Sequence, residues 1–440
     1  MEFALDKFTL DSGNTAWMMT SSALVLLMTP GLAFFYGGMV RGKSVLNMMM
    51  MSFGAMGVVG LVWVLWGYSG AFGPDLGGGL LGNPFQWFGL NGLDDSQSLM
   101  LAAGVPSLVA VAFQATFAII TVALISGSIA DRTKFSAWMI FAGIWVTVVY
   151  LPVAHWVWSG VGLLGPTGIT SGLSTPIDFA GGTVVHINAG IAGLALALII
   201  GKRRGFGKEA MRPHNLPFVM LGAALLWFGW FGFNAGSEFA ADGTAGRAWM
   251  NTMVATCVAM LTWLLTERFR DGRATSLGAA SGVVAGLVAI TPAAAAVDTF
   301  GAIALGGVAG VLCALAVGLK YKYGYDDSLD VVGVHLVGGL TGTILIGFFA
   351  TDKNSAFLPD GASLGLFYGG GVTQIATQTI TALVVLVYSF VVTAIIALII
   401  KATIGFRITD EHEVTGIDLT THGETAYEAL GARVSSEVKS

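Results

Sequence analysis

The chain has 440 residues, of which 55% are hydrophobic and only 11% are charged. A soluble domain carries about 25% charged residues, so a chain of this length cannot keep a water-facing surface, and lipid must be its main solvent. The formal net charge of −5 says little about partners, because the position of the charges matters more than their sum. The two cysteines, Cys257 and Cys313, each lie inside an apolar run, which favours packing residues over a disulfide or a metal site.

Eleven apolar stretches between polar breaks are long enough to cross a bilayer. A membrane helix needs about 20 residues, and in lipid each helix satisfies its own backbone hydrogen bonds. The predicted spans lie near residues 16–39, 45–70, 100–130, 136–159, 180–201, 215–236, 248–266, 275–293, 299–319, 332–350 and 374–403. The sequence therefore predicts an all-α integral membrane protein with eleven transmembrane helices.

The basic residues predict the orientation. All but three of the 21 lysines and arginines lie on one side of the predicted membrane, the exceptions being Lys7, Arg247 and Lys353. By the positive-inside rule this places the N-terminus outside and the C-terminus in the cytoplasm, which requires an odd number of spans. The outer segments would suit a cation, although the positive-inside rule alone also produces such a face. Their acidic residues are Asp75, Asp94, Asp95, Asp178, Glu238 and Asp242.

Two of the six histidines, His186 and His335, lie well inside apolar helices. Ionisable groups inside spans are costly, so each is a functional candidate, although a lone buried histidine more often only bonds a backbone carbonyl. If spans one to five and six to ten are inverted repeats followed by a final helix, these two histidines are equivalent and lie near the midplane, where transporters bind their solutes. Facing imidazoles would offer a donor and an acceptor to a narrow lumen, but two histidines alone make a poor metal site.

Aromatic residues near the outer ends of spans three, four and six form a second cluster. For each ring alone, core packing or an interfacial belt is the simpler interpretation. Together they could bind a cation, because ring faces attract ammonium-like ions. Asp178 stands just before span five, where an aspartate commonly caps a helix and also adds negative charge at the outer mouth. The aromatic residues are Phe113, Phe117, Trp156, Trp158, Trp227, Trp230, Phe231 and Phe233.

With these motifs in place, the sequence resembles the ammonium transporter (Amt/Mep/Rh) family, bacterial Amt branch, over nearly its whole length. The stretch DFAGGTVVHINAG at 178–190 looks like the family signature. Further similar stretches are FYGGMVRGK at 35–43, GWFGFNAGS at 229–237, GLVAITP at 286–292 and GIDLTTHGE at 416–424.

The resemblance implies one narrow pore in each subunit of a homotrimer. At its outer mouth, Phe117, Trp158 and Ser237 would recruit ammonium through cation–π contacts and a hydroxyl acceptor. Below that site, Phe117 and Phe233 would form a stacked gate.

Deeper in the pore, the resemblance implies that His186 and His335 form a twin-histidine pair lining the lumen. Asp178 would support the site structurally and electrostatically near the mouth, without being a direct ligand. Trp230 and Asp330 would be further supporting residues, with Asp330 on the cytoplasmic side. We expect no catalytic residue, metal or cofactor.

The resemblance also implies a membrane domain at 1–404 and a cytoplasmic regulatory tail at 405–440. The protein would be a multi-pass protein of the bacterial plasma (inner) membrane. Its partners would be ammonium or ammonia, membrane lipid, other copies of itself, and a PII-type signal protein on the cytoplasmic face. We expect no nucleic-acid partner.

The predicted function is ammonium uptake: recruitment of the ion, loss of a proton, and conduction of ammonia past the histidines, with the fate of the proton left open. Two alternatives remain, an ammonium sensor that signals through a cytoplasmic partner and a channel for neutral ammonia or carbon dioxide. An enzyme that uses His186 and Asp178 together is disfavoured, because eight helical residues rise about 12 Å.

Overall fold

The structure, a computed structural model, describes residues 9–93, 99–100, 103–353 and 356–427. Lys7, Asp94 and Asp95 lie outside the described residues. Within the described part, eleven helices are long and apolar enough to cross a membrane, which confirms the predicted fold class. They are α1 (Ser12–Met39), α2 (Val45–Phe72), α3 (Ser107–Ile129), α4 (Phe135–Trp158), α5 (Gly182–Ile200), α6 (Leu216–Gly236), α7 (Gly243–Asp271), α8 (Ser276–Ala293), α9 (Thr299–Tyr323), α10 (Val332–Phe349) and α11 (Thr373–Thr403).

Several helix boundaries differ from the prediction by a few residues, most clearly those of α3 and α7. Helix α3 begins at Ser107 and not near residue 100, because a short antiparallel pair precedes it, β1 (Leu99–Met100) and β2 (Val105–Pro106). Helix α7 is longer than predicted at both ends. Its first turn is capped by the Asp242 carboxylate, which accepts hydrogen bonds from two backbone N–H groups and lets the helix start in a polar segment.

Consecutive spans alternate in direction, so the connecting loops fall on two opposite faces. On one face a backbone bridge joins Val297 to Ala350, and on the other a bridge joins Thr133 to Arg407. We call the first the outer face and the second the cytoplasmic face, following the orientation that the basic residues predict.

Packing pairs the corresponding helices of the two predicted repeats. Helix α1 packs along α6, and α5 packs against α10. Where α1 meets α6, a Cβ at Gly222 would collide with the backbone of Phe35. Small residues allow such close approach between membrane helices, and this pairing of first with first and last with last is the one that inverted repeats produce.

The tail folds back onto the cytoplasmic face. A short helix, α12 (Asp410–Thr415), carries Glu413, whose buried carboxylate accepts a hydrogen bond of 2.6 Å from the Arg407 guanidinium. Asp418 accepts hydrogen bonds from the backbone N–H groups of Leu46 and Asn47, at 3.0 and 2.8 Å. The tail thus caps the beginning of α2.

Candidate functional site

The two buried histidines meet at the centre of the molecule. Each lies on a π-helical turn, His186 on Gly182–Ile187 and His335 on Val332–Leu336. Their Nδ1 atoms are 3.3 Å apart, and the rings are nearly parallel, with 22° between planes and 5.4 Å between centroids. Only 1% and 4% of their surfaces are exposed. Single π-helical turns inside membrane helices are frequent at functional sites.

Glycines that follow each histidine allow this contact. A Cβ at Gly190 of α5 would lie 2.5 Å from the backbone nitrogen of Leu336 on α10. A Cβ at Gly339 of α10 would lie 3.0 Å from the Cβ of His186. Larger residues at either position would push the two helices apart, and the imidazoles with them.

The contact between the two Nδ1 atoms fixes how two neutral rings share their protons. One Nδ1 must donate and the other must accept. The ring that donates from Nδ1 has an unprotonated Nε2, and the other ring carries its proton on Nε2. The pair therefore offers one acceptor and one donor to a passing molecule. Among the described residues, His186 Nε2 has no hydrogen-bond partner. The same residues contain no group of three side chains that could hold a metal ion.

An apolar cavity adjoins the pair. Trp230 lies almost parallel to His186, with ring centroids 5.4 Å apart and 23° between planes. A bare ion there would lose its hydration without gaining a countercharge, whereas a small neutral molecule would lose far less. The cavity is lined by Met28, Leu32, Phe35, Ile120, Leu124, Val185, His186, Leu226, Trp230, Phe233, Val284 and His335.

Two stacked rings close the cavity on its outer side. Phe117 of α3 and Phe233 of α6 are fully buried, with ring centroids 4.0 Å apart and 21° between planes. Phe233 also lies 6.3 Å from the His186 ring. Rings in van der Waals contact leave no opening, so passage requires at least one of them to rotate.

Above the rings, the structure brings the predicted recruitment residues to the same end of the molecule. Trp158 meets Phe117 edge to face, with centroids 6.0 Å apart. The Trp158 indole N–H donates to the backbone carbonyl of Asp178 at 2.9 Å, which fixes the ring at the mouth. The Ser237 hydroxyl donates to the Phe233 carbonyl at 2.8 Å, so its lone pairs remain able to accept from a cation.

Asp178 holds the turn that carries His186. One carboxylate oxygen accepts from the N–H groups of Gly181 and Gly182, at 2.8 and 2.5 Å. The other accepts from the N–H groups of Thr183 and Val184, at 2.9 and 3.2 Å, and from the Thr183 hydroxyl. The left-handed backbone of Gly181 (φ 115°) wraps the chain around the carboxylate. Burial raises the pKa of Asp178, and these hydrogen bonds oppose the rise.

Sequence reasoning missed the counterpart of Asp178 on the cytoplasmic side. Asp327 precedes His335 by eight residues, as Asp178 precedes His186. Its buried carboxylate accepts from the backbone N–H of Val331, directly before the second π-helical turn, at 3.2 Å, and from that of Val332, the first residue of the turn, at 2.8 Å. Burial raises the pKa of Asp327 to about 6. The equal spacing was the signal that could have identified this residue.

Asp330, predicted as a supporting residue on the cytoplasmic side, pairs with a lysine through its side chain, which does not bond the histidine turn. Its carboxylate accepts from the Lys320 ammonium at 2.7 Å, and its backbone is left-handed (φ 64°). The same ammonium donates to the backbone carbonyl of Asp327 at 3.0 Å. Asp330 therefore anchors the loop that contains the capping aspartate, and does not cap the turn itself.

Glu238 adds a further acidic side chain at the outer mouth, directly after Ser237. Within the described residues it forms no ion pair with a lysine or arginine. Burial, together with the negative charge of Asp242, raises the pKa of Glu238 to about 7.

The chain matches a known family and known structures over most of its length. The model of the Ammonium Transporter Family matches residues 16–427. The chain is 60% identical over 434 residues to an ammonium transporter of Mycobacterium tuberculosis, covering 95% of this chain and 91% of that protein. The crystal structure of Candida albicans Mep2 superposes with a TM-score of 0.83 at 33% identity, covering 92% of this chain and 88% of that chain.

A solved structure titled Sensor Amt Protein also has the same fold. Its TM-score is 0.82 at 28% identity, and it covers 93% of this chain and 98% of that chain. Eleven spans and bacterial relatives make the protein a multi-pass protein of the plasma membrane. The match along nearly the whole sequence leads to one conclusion: the chain belongs to the ammonium transporter family.

Proposed function

We propose that the protein transports ammonium across the plasma membrane, capturing the ion at the outer mouth and conducting ammonia through the lumen. The observation that carries this proposal is a histidine pair at the centre of an apolar cavity, beneath a closed aromatic gate. Such a path disfavours a bare ion and offers hydrogen bonds to a small neutral base.

Capture would use Phe117, Trp158 and Ser237. The faces of the two rings attract ammonium through cation–π contacts, and the serine oxygen accepts one N–H. Potassium is similar in size to ammonium, so a hole of fixed width cannot separate the two ions. Ammonium differs because it donates hydrogen bonds and can lose a proton.

Below the gate, ammonia would pass along His186 and His335. Because one Nε2 of a neutral pair accepts and the other donates, ammonia can give a hydrogen bond to one ring and receive one from the other. Moving one charge across the membrane is worth about 2.3 kcal/mol per 100 mV. Uptake is therefore driven by the membrane potential only if the proton that ammonium releases also crosses.

We further propose that the protein is a homotrimer with the N-terminus outside, and that a PII-type signal protein binds its cytoplasmic face. The tail supports regulation at that face. Glu413 accepts from the backbone N–H of Arg204 in the loop after α5, and Asp418 accepts from those of Leu46 and Asn47. A partner that displaces the tail would therefore also release the start of α2.

A second candidate function is ammonium sensing with little transport. The likeness to the structure titled Sensor Amt Protein favours it, as does a tail held in contact with the cytoplasmic loops. Sensing would use the same outer site, but the gate would open rarely.

The test is transport by the purified protein in liposomes on a solid-supported membrane. We expect a current and a change in internal pH that depend on ammonium, with no current from potassium; a current would mean that the released proton crosses together with ammonia. Protein-free liposomes are the control. The absence of both signals would refute transport and leave the sensor. Uptake of nitrogen with no charge moved would indicate a neutral-gas channel.

A further inference from the structure

We propose that Thr291 and Asn234 are positioning residues that hold Trp230 against His186 and so set the shape of the lumen. This inference rests on the conduction path proposed above and adds to it a set of buried polar residues behind the lumen, which we call the brace (Trp230, Asn234, Thr252 and Thr291).

The central contact of the brace is between Trp230 of α6 and Thr291 of α8. The indole N–H donates to the Thr291 hydroxyl oxygen at 2.8 Å. That hydroxyl lies 2.7 Å from the backbone carbonyl of Leu287 and 3.3 Å from the side-chain oxygen of Asn234, and it can donate its proton to one of them at a time. Thr291 is fully buried, so the indole would be costly to leave without this acceptor.

Asn234 extends the brace to a third helix. Its amide N–H donates to the Thr252 hydroxyl of α7 at 2.9 Å, and that hydroxyl donates to the Ala248 carbonyl at 2.7 Å. Asn234 and Thr252 are fully buried, and Asn234 directly follows Phe233 of the gate. The brace therefore joins α6, α7 and α8 directly behind Trp230 and Phe233, the two rings of α6 that line the cavity.

The last turn of α8 also contacts the base of the His186 turn. The carbonyl of Pro292 accepts from the backbone N–H of Phe179 at 3.0 Å. A Cβ at Gly182, the first residue of the π-helical turn, would lie 2.5 Å from the Pro292 ring. Thr291 and Pro292 thus fix the Trp230 ring on one side and the histidine turn on the other.

Satisfying the Thr291 hydroxyl alone does not require a contact with Trp230, because a buried threonine can bond only its own helix. Thr256 of α7 is such a residue: it is fully buried, and its hydroxyl donates only to the Thr252 carbonyl one turn earlier, at 2.7 Å. Thr291 instead connects two helices through Trp230, whose ring lies almost parallel to His186 with centroids 5.4 Å apart.

Loss of the Thr291 hydroxyl should therefore change conduction below the gate and leave capture above it intact. For Thr291→Val, which keeps the volume, we expect maximal ammonium flux to fall by about fivefold or more, since small displacements at a reacting or conducting site are costly. Half-saturation should stay within about twofold, because no recruitment residue changes. Thr291→Ser restores the hydroxyl and should restore the flux. The ratio of methylammonium to ammonium flux should also shift, because the larger solute is more sensitive to the width of the lumen.

The matched control is Thr256→Val, which removes a buried hydroxyl of the same kind without touching Trp230. It should leave flux, half-saturation and the solute ratio unchanged. An equal loss in Thr256→Val and Thr291→Val would overturn the inference. Size-exclusion profiles and thermal unfolding in detergent establish that each variant folds. If Thr291→Val does not fold, Thr291→Cys keeps a similar size with a much weaker hydrogen-bonding group and replaces it in every comparison.

The deciding experiment is a double-mutant cycle with Trp230→Phe. If Thr291 acts through the indole N–H, Thr291→Val should add nothing to the defect of Trp230→Phe; independent, multiplicative losses would overturn the brace. A wild-type protein without ammonium flux would overturn the proposed function and the brace with it. A wild-type flux with independent losses in the two variants would overturn the brace alone.

Discussion

Replacing Asp178 with asparagine should destabilise the turn that carries His186. The same change at Asp327 should destabilise the turn that carries His335 by a smaller amount. In Asp178→Asn, one oxygen of the carboxylate becomes an NH2 group. In the native protein, each carboxylate oxygen of Asp178 accepts from two backbone N–H groups. Whichever way the amide is oriented, two buried backbone donors therefore face another donor.

The magnitude follows from the number of lost acceptors. A buried donor left without a partner costs about 1–3 kcal/mol, so Asp178→Asn should cost about 2–6 kcal/mol of local stability. At Asp327 each oxygen accepts from one backbone N–H. Asp327→Asn leaves one donor unpaired and should cost about half as much. The two variants form a matched pair, because both change a buried capping carboxylate eight residues before a histidine.

The assay has two readouts, the thermal unfolding midpoint in detergent and the ammonium-dependent current in liposomes. We expect Asp178→Asn to lower the midpoint more than Asp327→Asn and to abolish most of the current, because the released turn carries His186. If Asp178→Asn kept the wild-type midpoint and current, or if Asp327→Asn were the more harmful change, the idea that the carboxylate acts by holding the turn would be refuted.

Three further predictions concern the path itself. Replacing His186 and His335 together with alanine should leave the protein folded but alter flux or the preference for ammonium over potassium; wild-type rates and selectivity would contradict a lumen role. Phe117→Ala combined with Trp158→Ala should raise the ammonium concentration at half-saturation, and an unchanged value would exclude a cation–π site. Because the pKa of Glu238 is raised to about 7, its carboxyl is neutral at lower outside pH and negative at higher pH. Glu238→Gln should therefore match the wild type near pH 6 but weaken apparent ammonium affinity about twofold to fivefold near pH 8, and an equal effect at both values would contradict this assignment.

The general architecture followed from the sequence because a bilayer permits few solutions. Span number depends on hydrophobic length and on the distribution of basic residues, and both are local properties. The proximity of His186 and His335 could also be anticipated, since similar surroundings in two spans indicate equivalent positions in two repeats.

Other parts of the site depend on contacts that no local pattern encodes. Asp327 and Asp330 lie three residues apart, and only the backbone path shows that the first caps the turn while the second pairs with a lysine. The Trp230 to Thr291 hydrogen bond joins side chains 61 positions apart. It depends on how α6 crosses α8, which is set by the packing of many small residues.

The twin-histidine geometry also bears on the direction of transport. The rings face each other through the same atom, Nδ1, on helices that run in opposite directions. Exchanging their tautomers interchanges the donor and the acceptor without moving any heavy atom. The hydrogen bond between the two rings therefore has no fixed direction of its own. We expect any one-way behaviour to arise from the aromatic gate on one side, from the tail on the other, or from the gradients across the membrane.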